Sequence, residues 1–408
     1  MRRSSITLLR HCFFPLILLL FAAANAAQGA NLVEKDLRIG VVTMAPGRLF
    51  YERFGHDALV VLDRRSNQAI SYNFGYFDPQ EPGFITRFIQ GQMQYFLVAL
   101  PLQEDLEQYA HEGRSVRLQW LNLTDPQAQR LASRLAMLSK PEFARYHYDY
   151  LTANCATKVR DSLDLALEGT LARQLAGSAG GQTYRKRVLA LAAADSWMEI
   201  LLDLGLGPSA DQPLTQWQDM FIPMQLAQRL EHLHTASKDV LITQSTPRLD
   251  QHVATKTWQS HPLWWWIVGI IGAACLLGLS PHPRTSALLA GFIWLLCTLA
   301  GWLLLLLWLC TDHRATWMNA NLLLLNPLCL ITLFDLPRIW KGRAPTPLSW
   351  AIHWLVVVCC GVGLALHVIQ AIPQQNLTWI GLIAPLHAAQ TALRHSARLS
   401  ERKALRSL

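Results

Sequence analysis

Asn154-Cys155-Ala156-Thr157-Lys158-Val159-Arg160-Asp161-Ser162-Leu163-Asp164-Leu165-Ala166-Leu167 is the stretch on which the reading of this chain turns. Ala156, Val159, Leu163 and Ala166 recur at helical spacing. Asparagine is a preferred N-cap, so the spacing predicts an amphipathic helix with Cys155 in its first turn. Asn154, Thr157 and, upstream, Tyr148 are expected to support that helix start. The unpaired N–H groups and the dipole at this end favour an anion, which for a cysteine is the thiolate, the nucleophilic form.

A thiol nucleophile usually works with an imidazole, and His56 stands out because it follows Gly55 at the start of a strand. Apolar runs predict strands over Arg38–Met44, His56–Leu62 and Gln68–Phe74, with turn chemistry in Asp63-Arg64-Arg65-Ser66-Asn67. If Leu62 and Asn67 flank the turn as a pair, counting back sets Asn73 opposite His56. Asn73 then orients the imidazole, and a one-residue slip would bring Tyr72 or Phe74 there instead. Helical patterns follow at Phe84–Ile89, Leu102–His111 and Asp125–Leu138, the last opened by Thr124 with proline in its first turn. The expected class for this part is α+β, a small antiparallel sheet beside helices.

The two ends of the chain set the compartment. Arg2, Arg3 and Arg10, an apolar run from Phe13 to Phe21, and Ala24-Asn25-Ala26 have the order of a cleavable export signal over residues 1–26. Residues 27–262 have the composition of an exported globular domain, and residues 263–393 that of an all-α bundle of about five membrane helices. The spans read as Leu263–Leu279, Ser286–Leu309, Asn319–Phe334, Leu348–Ile369 and Leu377–Leu393, the last interrupted by Pro385, His387 and Gln390. Arg284, then Arg338, Lys341 and Arg343, then a basic tail over 394–408 fall on the same side, which the positive-inside rule makes cytoplasmic. Trp264-Trp265-Trp266 fits an interfacial aromatic belt at the first span.

The net charge of +8 is largely accounted for by this tail and these loops, and no basic stripe with interleaved aromatics points to nucleic acid. Among the eight cysteines, Cys155 alone lies within 27–262. A lone thiol in an oxidising compartment forms no disulfide within its own domain and is open to oxidation, so its presence asks for another reason.

Phe54-Gly55-His56, Tyr72-Asn73-Phe74-Gly75 with Phe77-Asp78, Gly91 with Tyr95, and Tyr146-x-Tyr148-Asp149-Tyr150 leading into Asn154-Cys155-Ala156-Thr157 resemble the Lnb-type domain of bacterial envelope proteins. The resemblance covers roughly Leu37–Ala166 and continues at Thr311-Asp312-His313 and Asn319-x-Asn321 to Asn326-Pro327. The order of histidine then cysteine is similar to circularly permuted papain-like enzymes of the NlpC/P60 and lecithin:retinol acyltransferase group. The resemblance implies a permuted papain-like exported domain and a thiol acyltransferase that moves an acyl chain from a phospholipid to an amine such as a lipoprotein N-terminus. It makes Cys155 the nucleophile, His56 the base and then acid, and Asn73 the orienter, with no cofactor and no metal. The chain departs from the pattern at Phe74, where an aromatic hydroxyl is often seen, and at Asp57, where a small residue is usual.

Partners implied are phospholipid, possibly lipoprotein, and the inner membrane, with the first domain periplasmic and the C-terminus cytoplasmic. Phe84, Phe88 and Tyr95 are expected to line an acyl or substrate groove, and His313, Asn319 and Asn321 to meet a lipid head group or cap a loop. Asp195, Glu199 and Asp203 read as a solvated helix face, and the His232/His234 spacing matches no helical metal pattern. Two rival functions use the same residues differently: a papain-like hydrolase of peptides or peptidoglycan, and a non-enzymatic membrane component in which Cys155 is merely buried.

Overall fold

The computed structural model describes residues 36–246 and 262–406, so the expected export signal at 1–26 lies outside the described residues. The chain folds as a mixed α+β sheet domain followed by a helical region. In the first, β1 (Leu37–Met44), β2 (His56–Asp63) and β3 (Gln68–Tyr76) form a meander, followed by α1 (Phe84–Gln90), β4 (Gln94–Pro101), α2 (Leu102–His111), β5 (Val116–Leu121), α3 (Asp125–Leu138), β6 (Arg145–His147) and α4 (Cys155–Ala166). A short ribbon, β7 (Ala179–Thr183) with β8 (Pro213–Thr215), flanks α5 (Ser196–Gly205), and β9 (Ile242–Ser245) completes the main sheet. That sheet has seven strands in the order β6-β4-β3-β2-β1-β5-β9, so it is larger than the small sheet expected.

Strand alternation sorts the sheet into two faces. Ile39, Val41, Leu59, Val61, Tyr72 and Phe74 join Leu131, Leu135, Val159 and Leu163 of α3 and α4 in the main core. On the opposite face Val42, Met44, Ala58 and Val60 are covered by Leu106 and Tyr109 of α2. Both faces are therefore buried, and β2 is a central strand with a helix on either side.

The helical region contains α6 (Pro262–Gly278), α7 (Pro283–Cys310), α8 (Cys329–Leu333), α9 (Leu336–Trp340), α10 (Pro347–Val368) and α11 (Leu377–Arg406). Of these, α7 and α10 are long and apolar enough to cross a membrane. The third expected span, Asn319–Phe334, is not one helix. It runs beside α7 as a 3-10 turn over 320–323 and the short α8, with Pro327 between them, and α9 follows with Pro337 in its first turn. Irregular backbone at such depth survives only where protein satisfies it. Here the His387 imidazole lies 3.0 Å from the Leu324 carbonyl, and Asn326 Oδ1 accepts from the Leu328 amide at 3.0 Å. The basic tail is likewise no separate segment, because α11 runs through Pro385 and on to Arg406.

Polar side chains at one end of this bundle hold the sheet domain. Asn319 Nδ2 reaches the carbonyls of Leu204, Gly205 and Leu206 at 2.9, 3.0 and 3.3 Å. Asn321 Nδ2 adds a second donor to Leu204 O at 3.0 Å, and Trp379 Nε1 donates to Asp203 Oδ2 at 3.0 Å. These carbonyls end α5, where a helix lacks internal donors. A second contact lies at Gly91, φ +74°, where a Cβ would stand 2.7 Å from the His313 amide nitrogen. Asp195 and Asp203 are ion-paired with Arg53 and Arg185, which corrects the solvated face expected for them: cations from other elements reach both acids.

Asn319→Ala strands the terminal carbonyls of α5 in a buried setting. We expect a loss of about 1–3 kcal/mol, the usual cost of an unsatisfied buried polar group. Thermal unfolding of the detergent-solubilised chain should fall accordingly, with faster proteolysis between the sheet domain and the bundle.

Candidate active site

The opening of α4 is built as the sequence predicts. Asn154 Oδ1 accepts from the Thr157 amide at 2.9 Å, and Thr157 Oγ1 accepts from the Asn154 amide at 2.8 Å, a reciprocal capping box. Asn154 Nδ2 also donates to the carbonyls of Tyr150 and Phe221, each at 2.9 Å, so the same side chain pins the preceding loop. Tyr148 does not cap the helix. Its ring and the Cys155 Cβ each come within 3.8 Å of the point where a Gly75 Cβ would stand, so it forms a wall beside the cysteine.

His56 and Asn73 meet, through a register two residues away from the one expected. Asn73 pairs with Ala58, not His56, because the turn takes four residues and Asp63 pairs with Gln68. An even offset keeps both side chains on one face, and His56 Nε2 lies 3.0 Å from Asn73 Oδ1. Asn73 Nδ2 donates to Ser71 Oγ at 3.1 Å and to Asp105 Oδ2 at 3.0 Å, while Ser71 Oγ donates to the same Asp105 oxygen at 2.6 Å. With its amide nitrogen committed to acceptors, Asn73 presents oxygen to the imidazole. That assigns the proton to His56 Nε2 and leaves Nδ1 as the basic nitrogen. The ring of Tyr109 in α2 stacks on His56 at 6.3 Å.

Asp105 was missed by sequence reasoning, although it carried a signal. Leu102, Asp105, Leu106 and Tyr109 share one helical stripe, and an acid on the stripe that faces a core needs a partner there. Asp57 carried the equivalent signal on a strand, sharing a side with Leu59 and Val61. Its carboxyl is fully buried, Thr43 Oγ1 donates to its Oδ1 at 2.6 Å, and Oδ2 has no partner among the described residues.

Alternation sends the His56 ring to the α2 side of β2 and the Asp57 carboxyl to the α4 side, where Cys155 packs against the main core, so the imidazole expected to face the sulfur makes no hydrogen bond to it among the described residues, and β2 meets the sulfur through the Asp57 backbone instead. The backbone amides of Asp57, Cys155 and Ala156 face the sulfur. Desolvation opposes them. Burial, followed by the nearby Asp57 charge, pushes the thiol up to about 12, which overturns the expectation from the helix dipole alone. The directions follow from the setting: a helix end contributes at most about 2 kcal/mol, and desolvation of a sulfur packed against the main core, though it is only partly buried, opposes it. Burial also moves the other two groups toward neutrality, lowering His56 and raising Asp57 to about 7. The resting site is thus a neutral thiol, a neutral imidazole and a carboxyl that titrates near neutral pH.

The structure brings Phe84, Phe88 and Tyr95 into one aromatic run. Phe88 stacks on Phe84 at 6.2 Å, Phe84 on Phe77 at 5.6 Å, Phe77 on Tyr95 at 4.9 Å, and Tyr95 meets Tyr148 at 4.3 Å. The run leads from Tyr148 beside Cys155 to α1, where Ile85, Phe88 and Ile89 are exposed. His313 stacks on Tyr150 at 6.1 Å and lies 3.1 Å from the Phe88 carbonyl through Nε2, which ties this edge to the bundle. Asn319 and Asn321 are 2 % and 0 % exposed with their amides spent on α5, so neither is presented to a lipid head group.

Two measurements test these electrostatics. Alkylation of Cys155 by iodoacetamide at pH 7.5 should run at least about 100-fold slower than that of a free cysteine, because so little thiolate is present. Asp57 keeps its proton to about pH 7 when folded against 3.8 ordinarily, so the stability it lends is complete below about 4 and is lost as pH rises through 7. Asp57→Asn should remove that decline and overtake the parent above pH 7 in thermal unfolding, by up to about 4 kcal/mol.

Comparison with known families adds an independent finding. Residues 28–188 match the Lnb N-terminal periplasmic domain, and residues 254–390 match the Lnb transmembrane domain. Neither the curated proteins nor the solved structures yield a match. With both domains matched in order across most of its length, the chain belongs to the Lnb-type family and is a membrane protein with a periplasmic sheet domain.

Proposed function

We propose that this protein is a membrane-bound thiol acyltransferase in which Cys155 accepts an acyl chain from a phospholipid and passes it to an amine, such as a lipoprotein N-terminus. The observation that carries the reading is the relay Asp105–Asn73–His56, which fixes the imidazole tautomer on the strand next to the sulfur. An orienter accepting from one ring nitrogen while the other stays basic is the arrangement that nucleophile activation requires. In this reading the domain is a permuted papain-like fold, the inner membrane is its site, and the C-terminus is cytoplasmic.

The reaction runs in two halves. The Cys155 thiol attacks the ester carbonyl and its proton goes to His56 Nδ1, a transfer that requires the imidazole to turn about the start of β2 or a water to carry the proton, because the two side chains rest on opposite faces of that strand. The tetrahedral oxyanion is met by the backbone N–H of Cys155 at the helix start. Collapse forms the thioester and breaks the ester bond, and His56 returns the proton to the lysophospholipid oxygen. The amine then attacks the thioester, gives a proton to His56, and the amide departs as the thiol is restored. A neutral resting pair suits this cycle, since no thiolate stands open to oxidation between turnovers. The aromatic run from exposed α1 to Tyr148 offers the acyl chain an apolar path.

A second reading, a non-enzymatic envelope component, is favoured by the burial of the thiol and its carboxyl neighbour Asp57. Mass spectrometry of lipoprotein N-termini in cells decides between them. On the transferase reading Cys155→Ala abolishes the N-acylated peptide, His56→Ala lowers its rate of formation at least about 100-fold, and Asp105→Asn lowers it less. Unchanged acylated amines in the Cys155→Ala strain would refute the transferase, and altered wall peptides there would point to the hydrolase.

A further inference from the structure

At the end of the bundle opposite the sheet domain, the termini of α6 and α7, the loop after α9 and the middle of α11 surround an open cavity of about 360 Å³. Its lining includes Ser280, Ser286, Arg343, Arg394 and Ser396, and no acidic residue. Arg394 is only 6 % exposed, yet its Nε and Nη2 have no partner among the described residues. The acid whose charge bears on it, Asp335, spends its Oδ2 on the Thr346 amide and hydroxyl at 2.8 and 3.1 Å. The Trp294 ring, 5.7 Å from the guanidinium carbon, supplies one apolar wall.

A buried guanidinium left unpaired is costly, and a protein keeps one where a ligand completes it. A planar fork of N–H donors beside serine hydroxyls and a second, exposed arginine matches the oxygens of a phosphate group. We propose that this cavity binds a phosphate group, with Arg394 as the buried anchor and Arg343 at the rim. Its position at the end of membrane helices makes a phospholipid head group one source and free inorganic phosphate the other. The inference rests on the bundle alone and is independent of any transfer chemistry at Cys155.

The test uses the purified, delipidated full chain. Phosphatidylglycerol in detergent and inorganic phosphate are titrated separately, with native mass spectrometry and thermal unfolding as readouts. Phosphatidylglycerol should bind and raise the melting temperature, with affinity reduced at least about tenfold in Arg394→Met and less in Arg343→Gln. Arg394→Met should also leave the delipidated protein as stable as the parent or more so, because an unpaired buried charge is gone; a merely structural arginine would give the reverse. Arg394-dependent stabilisation by phosphate alone, equal to that by the lipid, would support the site and name the soluble anion as its source. If neither probe binds, or if binding ignores Arg394 and Arg343 alike, the proposal is overturned. Should Arg394→Met fail to fold, the surface variant Arg343→Gln still decides, since unchanged binding in it counts against the site.

Discussion

The side chain of Asn154 holds three partners at once, the Thr157 amide and the carbonyls of Tyr150 and Phe221, while the Asn154 backbone N–H donates to Thr157 Oγ1. Remove any of these and the first turn of α4 frays, carrying Cys155 with it. Everything described around the sulfur depends on that turn being rigid. The amides that face the thiol, the wall formed by Tyr148 and the approach of β2 all take their positions from it.

Packing against the main core and the nearby Asp57 charge oppose the dipole at the thiol. A flexible turn would let water in and recover part of the charge stabilisation. Held as it is, the cysteine lies against the main core with a carboxyl nearby, so the neutral forms of Cys155 and His56 persist at neutral pH. For an envelope thiol this protects against oxidation, and under the proposed transfer chemistry activation has to come from proton transfer during attack. The Asp57 carboxyl lies close enough to the sulfur to raise its pKa further.

The two halves of the molecule are joined by polar groups, not by a greasy interface alone. Asn319, Asn321, Gln374 and Trp379 take up the carbonyls and acids at the end of α5, while the loop at 311–313 meets Gly91 and Phe88. The aromatic run beside Cys155 therefore ends at an edge fixed relative to the bundle.

How much was legible in the residues follows from which forces are local. The helix at Cys155, its cap, the first three strands and the helices at 102–111 and 125–138 were all readable, because capping, alternation and periodicity are local properties. Parity also survived an error in register: Asn73 was placed two residues from its true partner, yet on the correct face. What local pattern does not specify is which buried group meets which. The relay through Asp105, the presence of Asp57 beside the sulfur, the broken third crossing and the engagement of Asn319 and Asn321 with α5 join residues distant in sequence. The protonation states belong to this second class, because desolvation depends on everything packed around a group and no spacing along the chain records it.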